Sequence, residues 1–423
     1  MGTVADSKPR AVGFDRRLVY RPFLERLNPI ASPQSLLAEG LIVAPGHDPR
    51  DTGEPPIHVA LANTAELTRG SQMALVGGIG SGKTTELLLT QKELGRHSDA
   101  VNIFVDMADY TDLSQISPGA ILATAGLQLY PRVRLWLQKR GEKLPEDVES
   151  AHTKLRELAF GKTKWVPADA WDDWDDGPDM VQVNVPGLMK LRLPSLRREV
   201  MEVQELVVSI ASPLLEFNDQ VTLLIDGLDR LIRPELFREF AEQDLQALRG
   251  TSVSVIIAAP LLLWYDKTRF LQDYFDVAKH IPATATGPRS SAFLRQILQR
   301  RGALDLMDRT EITTIAKYSG GVLRDLLTLA RSSAEYAYRD AEDRIGRGHV
   351  NAAIKQLGNR YLAGLGNTHR KLLRRLMDHG EFPIENSTAR ELLVNRQVLE
   401  YFKGGVDYFA VHPALAKVLP KPA

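Results

Sequence analysis

The chain has 423 residues, 44% of them hydrophobic and 25% charged, which excludes a largely disordered, collagen-like or disulfide-rich protein and leaves room for about three domains. Its 53 Lys and Arg balance 53 Asp and Glu, so a nucleic-acid surface would have to be a local patch. The absence of cysteine rules out disulfides, thiolate-held zinc and thiol catalysis.

Residues 1–56 carry Pro22, Pro29, Pro33, Pro45, Pro49, Pro55 and Pro56, a spacing that allows only short helices and turns. No apolar targeting run opens the sequence, so a secretory signal is not expected. The longest apolar stretch, Val253 to Tyr265, is interrupted by Ser254 and Pro260 and is too short to span a bilayer. These features predict a cytoplasmic protein with no membrane contact. An α/β core is expected over 57–285. It starts with a helix from Ile57 to Arg69 and a buried strand at Met73–Val76. After the glycine-rich stretch that follows, a helix is predicted through Leu94, a strand at Val101–Asp106, a helix over about 118–138 and a strand at Val221–Asp226. Pro234 suits a first helical position, so a helix is predicted from there to Leu248, then a β-branched strand at Ser252–Ala259, a helix over 261–273 and a strand at Val277–Ile281. Five apolar strands with helices between them predict a parallel sheet covered on both faces.

Residues 140–200 interrupt this alternation and read as an insertion. Its first part is acidic and Trp-rich, with Asp169, Asp172, Asp173, Asp175, Asp176 and Asp179. A solvated loop is the simpler reading, because the spacing matches no metal loop. Its second part alternates around Pro186-Gly187 and suits a β-hairpin. Residues 286–365 are helical throughout, with helices over about 290–301, 309–318, 321–339 and 347–363. Residues 366–423 read as a basic amphipathic helix with Leu372, Leu373, Leu376 and Met377 inward. A second helix capped by Ser387 and a hairpin, Gln397–Phe402 and Val406–Val411, follow. Helices followed by a hairpin suit a winged-helix domain.

Gly77-x4-Gly82-Lys83-Thr84 is a complete Walker A motif, placed after a strand and at the opening of a helix. Glycines let successive N–H groups turn toward phosphate oxygens, and the helix offers its positive end to the same anion. Residues Gly77, Gly78, Ile79, Gly80, Ser81, Gly82, Lys83, Thr84 and Thr85 are therefore the expected cofactor-binding set. Lys83 reaches the β- and γ-phosphates and the Thr84 hydroxyl ligates Mg2+. Leu223-Leu-Ile-Asp226 ends an apolar strand in a carboxylate, the Walker B pattern, which assigns Asp226 to the Mg2+ site with Thr84. Asp229, three residues on, either reaches the γ-phosphate side as a catalytic acid or begins the next loop. No guanine-reading Asn/Thr-Lys-x-Asp motif was found, so ATP is the expected nucleotide.

The combination resembles the AAA+ and STAND branches of the P-loop ATPases, and especially the replication-initiator-like (origin-recognition) ATPases, over about 57–420. The resemblance implies Walker A on the first core strand, Walker B on the third, a sensor on the fourth, then a helical lid and a winged helix. Ile297–Arg301 is similar to the first lid helix, Ser319-Gly-Gly-Val-Leu-Arg324 to the sensor-2 motif and Gly348–Ile354 to the last lid helix. Arg324 would then meet the γ-phosphate. Arg269, before the fifth strand, stands where a finger for a neighbour's site is implied, or is a surface arginine near Asp266 and Asp273. Two positions depart from the pattern. Gly227 replaces the acid expected after Asp226, and Ala258-Ala259-Pro260 replaces a polar sensor, so slow hydrolysis is expected.

Three functions remain open. The first is an ATP- and Mg2+-driven switch that moves the lid and winged helix and assembles with itself or a protein partner. The second is an initiator- or loader-like ATPase with the winged helix on DNA. The third is a nucleotide-binding module without turnover. Nine basic residues against six acids in 367–423 are a weak surplus for phosphate, which favours the switch, with the acidic insertion as a partner for the basic helix.

Overall fold

The computed structural model describes residues 15–28, 33–45, 55–96, 100–110, 113, 118–160, 165–167, 180–182, 197–217, 220–231, 234–249, 251–284, 288–403 and 405–420. They fall into two compact units. The first comprises the described residues of Gly46–Ile79 and Lys83–Ile281. The second comprises those up to Pro45, the turn Gly80–Gly82 and those from Pro282 onward.

Two helices, α1 (Arg16–Arg26) and α2 (Pro33–Ala38), precede the first unit in the chain. That unit opens with α3 (Ile57–Leu67), which buries Ile57, Leu61 and Ala65 at helical spacing. Then come β1 (Gln72–Gly77), α4 (Lys83–Leu94), β2 (Val101–Asp106), α5 (Ala120–Arg140) and α6 (Glu146–Phe160). After β3 (Trp165–Pro167) and β4 (Met180–Gln182) follow α7 (Arg197–Glu216) and β5 (Val221–Asp226). The unit closes with α8 (Pro234–Phe240), α9 (Gln246–Arg249), β6 (Ser254–Pro260), α10 (Phe270–Tyr274) and β7 (Val277–Ile281).

Five parallel strands form one sheet in the order β2-β5-β6-β1-β7. Strands β1, β5 and β6 are buried along their whole length, which is why they read as continuous apolar runs and not as alternating ones. In-register pairing aligns Asp106 with Asp226 and Gly77 with Pro260. All five strands therefore end at one carboxyl edge, where α/β sheets place their ligands.

Several sequence expectations are corrected here. Residues 140–200 contain α6, whose Val148, Ala151, Leu155 and Ala159 lie in the main core cluster, and α7 begins at Arg197. The described pairing in this stretch joins β3 to β4. The Asp169–Asp179 cluster and Pro186-Gly187 lie outside the described residues. No single helix covers 261–273. A 3₁₀ turn at Leu261–Leu263 is followed by an Asx turn in which Asp266 Oδ1 accepts from Thr268 N–H at 3.0 Å, and only Phe270–Tyr274 is α-helical. The side chain's bond to the backbone competes with helix propagation. The Pro234–Leu248 helix carries a π turn at Ala241–Leu245. There the fully buried Asp244 accepts from the Gly119 and Ile121 N–H groups and so caps α5. Burial pushes its carboxyl up to about 7, against those backbone donors.

The second unit contains α1 and α2, then α11 (Pro288–Arg300), α12 (Ala303–Leu306), α13 (Arg309–Tyr318), α14 (Leu323–Arg339) and α15 (Arg347–Leu362). They lead into α16 (Asn367–His379), α17 (Ser387–Val394), the antiparallel hairpin β8 (Val398–Lys403) and β9 (Val406–Val411), and α18 (Pro413–Val418). Buried Arg301 binds the N-terminal segment to this unit by donating to the carbonyls of Arg26 and Leu41, each at 3.0 Å. Burial lowers its guanidinium to about 10. Leu323 N–H donates to the Gly80 carbonyl at 3.0 Å. Two details of the C-terminal helices differ from expectation. The α17 cap is Asn386, whose Oδ1 accepts from Thr388 N–H at 2.8 Å, and not Ser387, which is already helical. Met377 is 52% exposed, whereas Leu373 and Leu376 are buried.

No described helix is long and apolar enough to cross a membrane.

Candidate nucleotide-binding site

β1 ends at Gly77 and α4 begins at Lys83, so the turn between them hangs at the carboxyl edge of the sheet. Gly80 and Gly82 hold φ of +82° and +113°, a region that L side chains avoid. Lys83 is buried, and its ammonium donates to the carbonyls of Gly77 (2.7 Å) and Gly78 (2.8 Å) and pairs with Asp229 Oδ2 at 2.9 Å. All three donors are thus satisfied in place, which is what a buried cation requires. From the same helix, Thr84 Oγ1 donates to Asp226 Oδ2 at 2.5 Å. The glycine-rich motif and the third core strand are therefore joined by two side-chain contacts, Thr84–Asp226 and Lys83–Asp229.

The electrostatics are those of a site short of cations. Burial pushes the Asp226 carboxyl up, and the charges of Asp229 and then Asp106 add to it. The Thr84 hydroxyl and the Gly227 N–H pull the other way. A divalent cation beside Asp226 would reverse that shift. The residues fit such an ion and a nucleotide phosphate. Thr84 and Asp226 supply the hard oxygen ligands that Mg2+ prefers, and Ser81 Oγ in the turn is buried with no hydrogen-bond partner. Asp226→Asn is expected to raise the Mg2+ concentration needed for nucleotide binding by at least about tenfold, with folding unchanged. A Mg2+ titration followed by calorimetry checks it, and an unchanged Mg2+ requirement would remove Asp226 from the metal site.

The two departures from the family pattern have local physical causes. Gly227 has φ +91°, and a Cβ there would lie 2.5 Å from Asp106 Oδ1. No acid fits at 227 while Asp106 holds its position. At the end of β6, Ala258, Ala259 and Pro260 pair with Leu75, Val76 and Gly77 and are fully buried, so that strand brings no polar side chain to the edge.

Glu86, an alternative acid on α4, is occupied by His58, whose backbone N–H and ring Nδ1 both lie 3.0 Å from Glu86 Oε2. Arg269 is exposed and immediately precedes α10. Among the described residues it makes no ion pair, and the nearby Asp266 is paired with Arg238. Arg324 is the second residue of α14, and a Cβ built at Gly80 in the glycine-rich turn would lie 2.9 Å from its Cβ. The sequence reading did not single out Asp106, although its place at the end of a predicted strand, like that of Asp226, was a usable signal.

No family model and no curated protein matches the chain. Among solved structures, the chain is similar to Aeropyrum pernix Orc1 in complex with DNA, at 18% identity over 92% of this chain and 96% of that one, with a TM-score of 0.43. It is also similar to Drosophila ORC bound to DNA, at 14% identity over 100% and 96%, with a TM-score of 0.41. The Thermotoga maritima RuvB Holliday junction branch migration motor is similar at 14% identity over 86% and 93%, with a TM-score of 0.38. The chain's own strand order is the firmer observation. The chain has a five-stranded parallel α/β core with the glycine-rich turn after β1 and a carboxylate ending β5, two strands away.

Proposed function

We propose that the chain is an ATP-binding molecular switch that uses Mg2+ and hydrolyses ATP slowly. The observation that carries this reading is the Lys83–Asp229 and Thr84–Asp226 pair of contacts. They hold the phosphate-reaching cation and the two metal-ligating oxygens in one place before any ligand arrives. In this reading Gly77–Thr85 bind the phosphates, Thr84 and Asp226 hold the ion, and Asp229 works on the γ-phosphate side through Lys83. When bound, Mg2+ neutralises charge that develops on the phosphate oxygens. Slow turnover is expected because neither position 227 nor Ala258-Ala259-Pro260 carries the polar side chain that the resemblance implies there. Arg324 is the reporter of the γ-phosphate, and exposed Arg269 is the finger offered to a second copy.

The switch reading is favoured over DNA reading by the state of the C-terminal arginines. Arg396 is paired with Asp325 of α14 at 3.1 Å, and Arg390 donates to the Ile384 carbonyl at 3.1 Å. Arg375 is paired with Glu381, and Arg374 donates to the Pro420 carbonyl at 3.4 Å. Guanidinium groups bound within their own unit are less available to phosphates. The winged helix would then serve as the moving part. The test combines two assays on the full chain. With Mg2+ and a non-hydrolysable ATP analogue, light scattering should give a larger species than with ADP. Duplex DNA anisotropy at two salt concentrations should give no retention. Tight DNA binding that weakens steeply with salt and is lost when Arg370, Lys371, Arg374 and Arg375 are neutralised would overturn the switch in favour of an initiator- or loader-like protein.

A further inference from the structure

The nucleotide site lacks the acid usually found beside its metal-binding aspartate, and the neighbouring strand fills the space. Asp106 ends β2 and is the direct register partner of Asp226. Its Oδ1 stands 2.5 Å from where a Cβ at position 227 would be built. The carboxylate therefore occupies the room that a side chain at 227 would enter. It is also fixed. Oδ1 accepts from Ala108 N–H at 3.0 Å, and Oδ2 lies 3.5 Å from Arg230 Nη2. Its side chain keeps 20% exposure, enough to meet a water at the edge of the sheet. The two competing acids are engaged elsewhere, Asp229 on Lys83 and Glu86 on His58.

We propose that Asp106 is the catalytic residue that orients and deprotonates the attacking water, in place of an acid at 227. The proposal rests on the reading of the chain as an ATP hydrolase. In the step, the water oxygen forms a bond to the γ-phosphorus and the bond from that phosphorus to the β–γ bridging oxygen breaks. The electron pair of the broken bond stays on ADP, and the water proton passes to an Asp106 carboxylate oxygen. The products are ADP and inorganic phosphate, and the proton then leaves to solvent. Arg230 Nη2 and Ala108 N–H hold the carboxylate in its orientation.

The experiment compares the full-length protein with Asp106→Asn, which preserves size and the acceptor toward Ala108 N–H. Steady-state phosphate release and ATP binding by calorimetry with Mg2+ are measured on both. The expected result is a fall in kcat of at least about 100-fold, as for loss of a general base. ATP and Mg2+ affinities should stay within about twofold. Turnover within about threefold of the parent overturns the proposal and leaves the hydrolase reading standing. So does a loss matched by an equal loss of Mg2+ or ATP affinity, which would make Asp106 part of the binding site. A parent protein that binds ATP but releases no phosphate sinks the hydrolase reading, and the proposal with it. Thermal unfolding of the variant guards against misfolding. If Asp106→Asn is destabilised, Arg230→Gln provides a second test, because it leaves the carboxylate in place while removing its cation. The proposal then requires kcat to fall by at least about tenfold while ATP and Mg2+ affinities stay within about twofold.

Discussion

Lys83→Ala should abolish measurable ATP binding. The ammonium is the positive charge held at the motif, and it is fixed by the Gly77 and Gly78 carbonyls and by Asp229. Hydrogen bonds to charged groups contribute about 1.5–3 kcal/mol each, and a phosphate tail engages more than one. A loss of about 3 kcal/mol or more corresponds to at least about 100-fold in affinity. The substitution has a second cost in the unliganded protein. It strips the cation from Asp229, whose side chain is only 10% exposed and whose charge already pushes Asp226 up. The pair Lys83→Ala/Asp229→Asn separates these effects. It should recover stability lost in Lys83→Ala but not ATP affinity. Calorimetry with ATP and Mg2+ measures binding and thermal unfolding measures stability. Unchanged affinity in Lys83→Ala would remove the glycine-rich turn as the phosphate site.

Much of the core was legible because its signals are local. β1, β5 and β6 are buried on both faces, so their apolar runs stand out. The turn between β1 and α4 needs glycines and a lysine at fixed spacing. What escaped the reading was pairing. Asp106 and Asp226 are far apart in the chain and meet only because β2 pairs with β5 in register. Sequence alone flagged Gly227 as a missing acid, but not that Asp106 Oδ1 occupies its space. The helix α6 was missed for a different reason. Its buried residues, at 148, 151, 155 and 159, follow helical spacing. They sit among acids and ahead of an aspartate-rich stretch, and composition outweighed periodicity. The break at 261–273 depends on one side chain, Asp266, bonding to the backbone at Thr268, which competes with helix in a way that apolar pattern does not register. Arg301 reads as the basic end of a helix. In the fold it is buried and satisfies carbonyls of the N-terminal segment.

Asp325→Ala should destabilise the second unit by about 3–5 kcal/mol, as when one partner of a buried ion pair is removed. Asp325 is buried on α14, next to Arg324 in sequence. Its Oδ1 meets Arg396 Nη1 at 3.1 Å, and its Oδ2 accepts from the Tyr361 hydroxyl at 2.6 Å. His412 Nε2 lies 3.3 Å from the same Oδ2. The tautomer of His412 follows from its other nitrogen. Nδ1 accepts from Ala414 N–H at 3.2 Å, so in the neutral ring the proton is on Nε2. Burial pushes the Asp325 carboxyl up, but His412, Arg396 and Tyr361 together outweigh it and the group is lowered overall. A lowered acid stabilises the folded state above the unfolded-state value of about 3.9. That contribution is lost as pH falls through the folded value, so the gap between parent and variant should close in acid. The network ties α14 to α15 through Tyr361, to the connection between α17 and β8 through Arg396 and to the residue before α18 through His412. If these elements move as one body in the switch, Asp325→Ala should keep ATP affinity while uncoupling nucleotide from assembly. Denaturant unfolding at pH 7 and at about pH 2, below both values, with calorimetry and light scattering, checks each part. Stability within about 0.5 kcal/mol of the parent would mean that the carboxylate is not what holds α14 to the C-terminal hairpin.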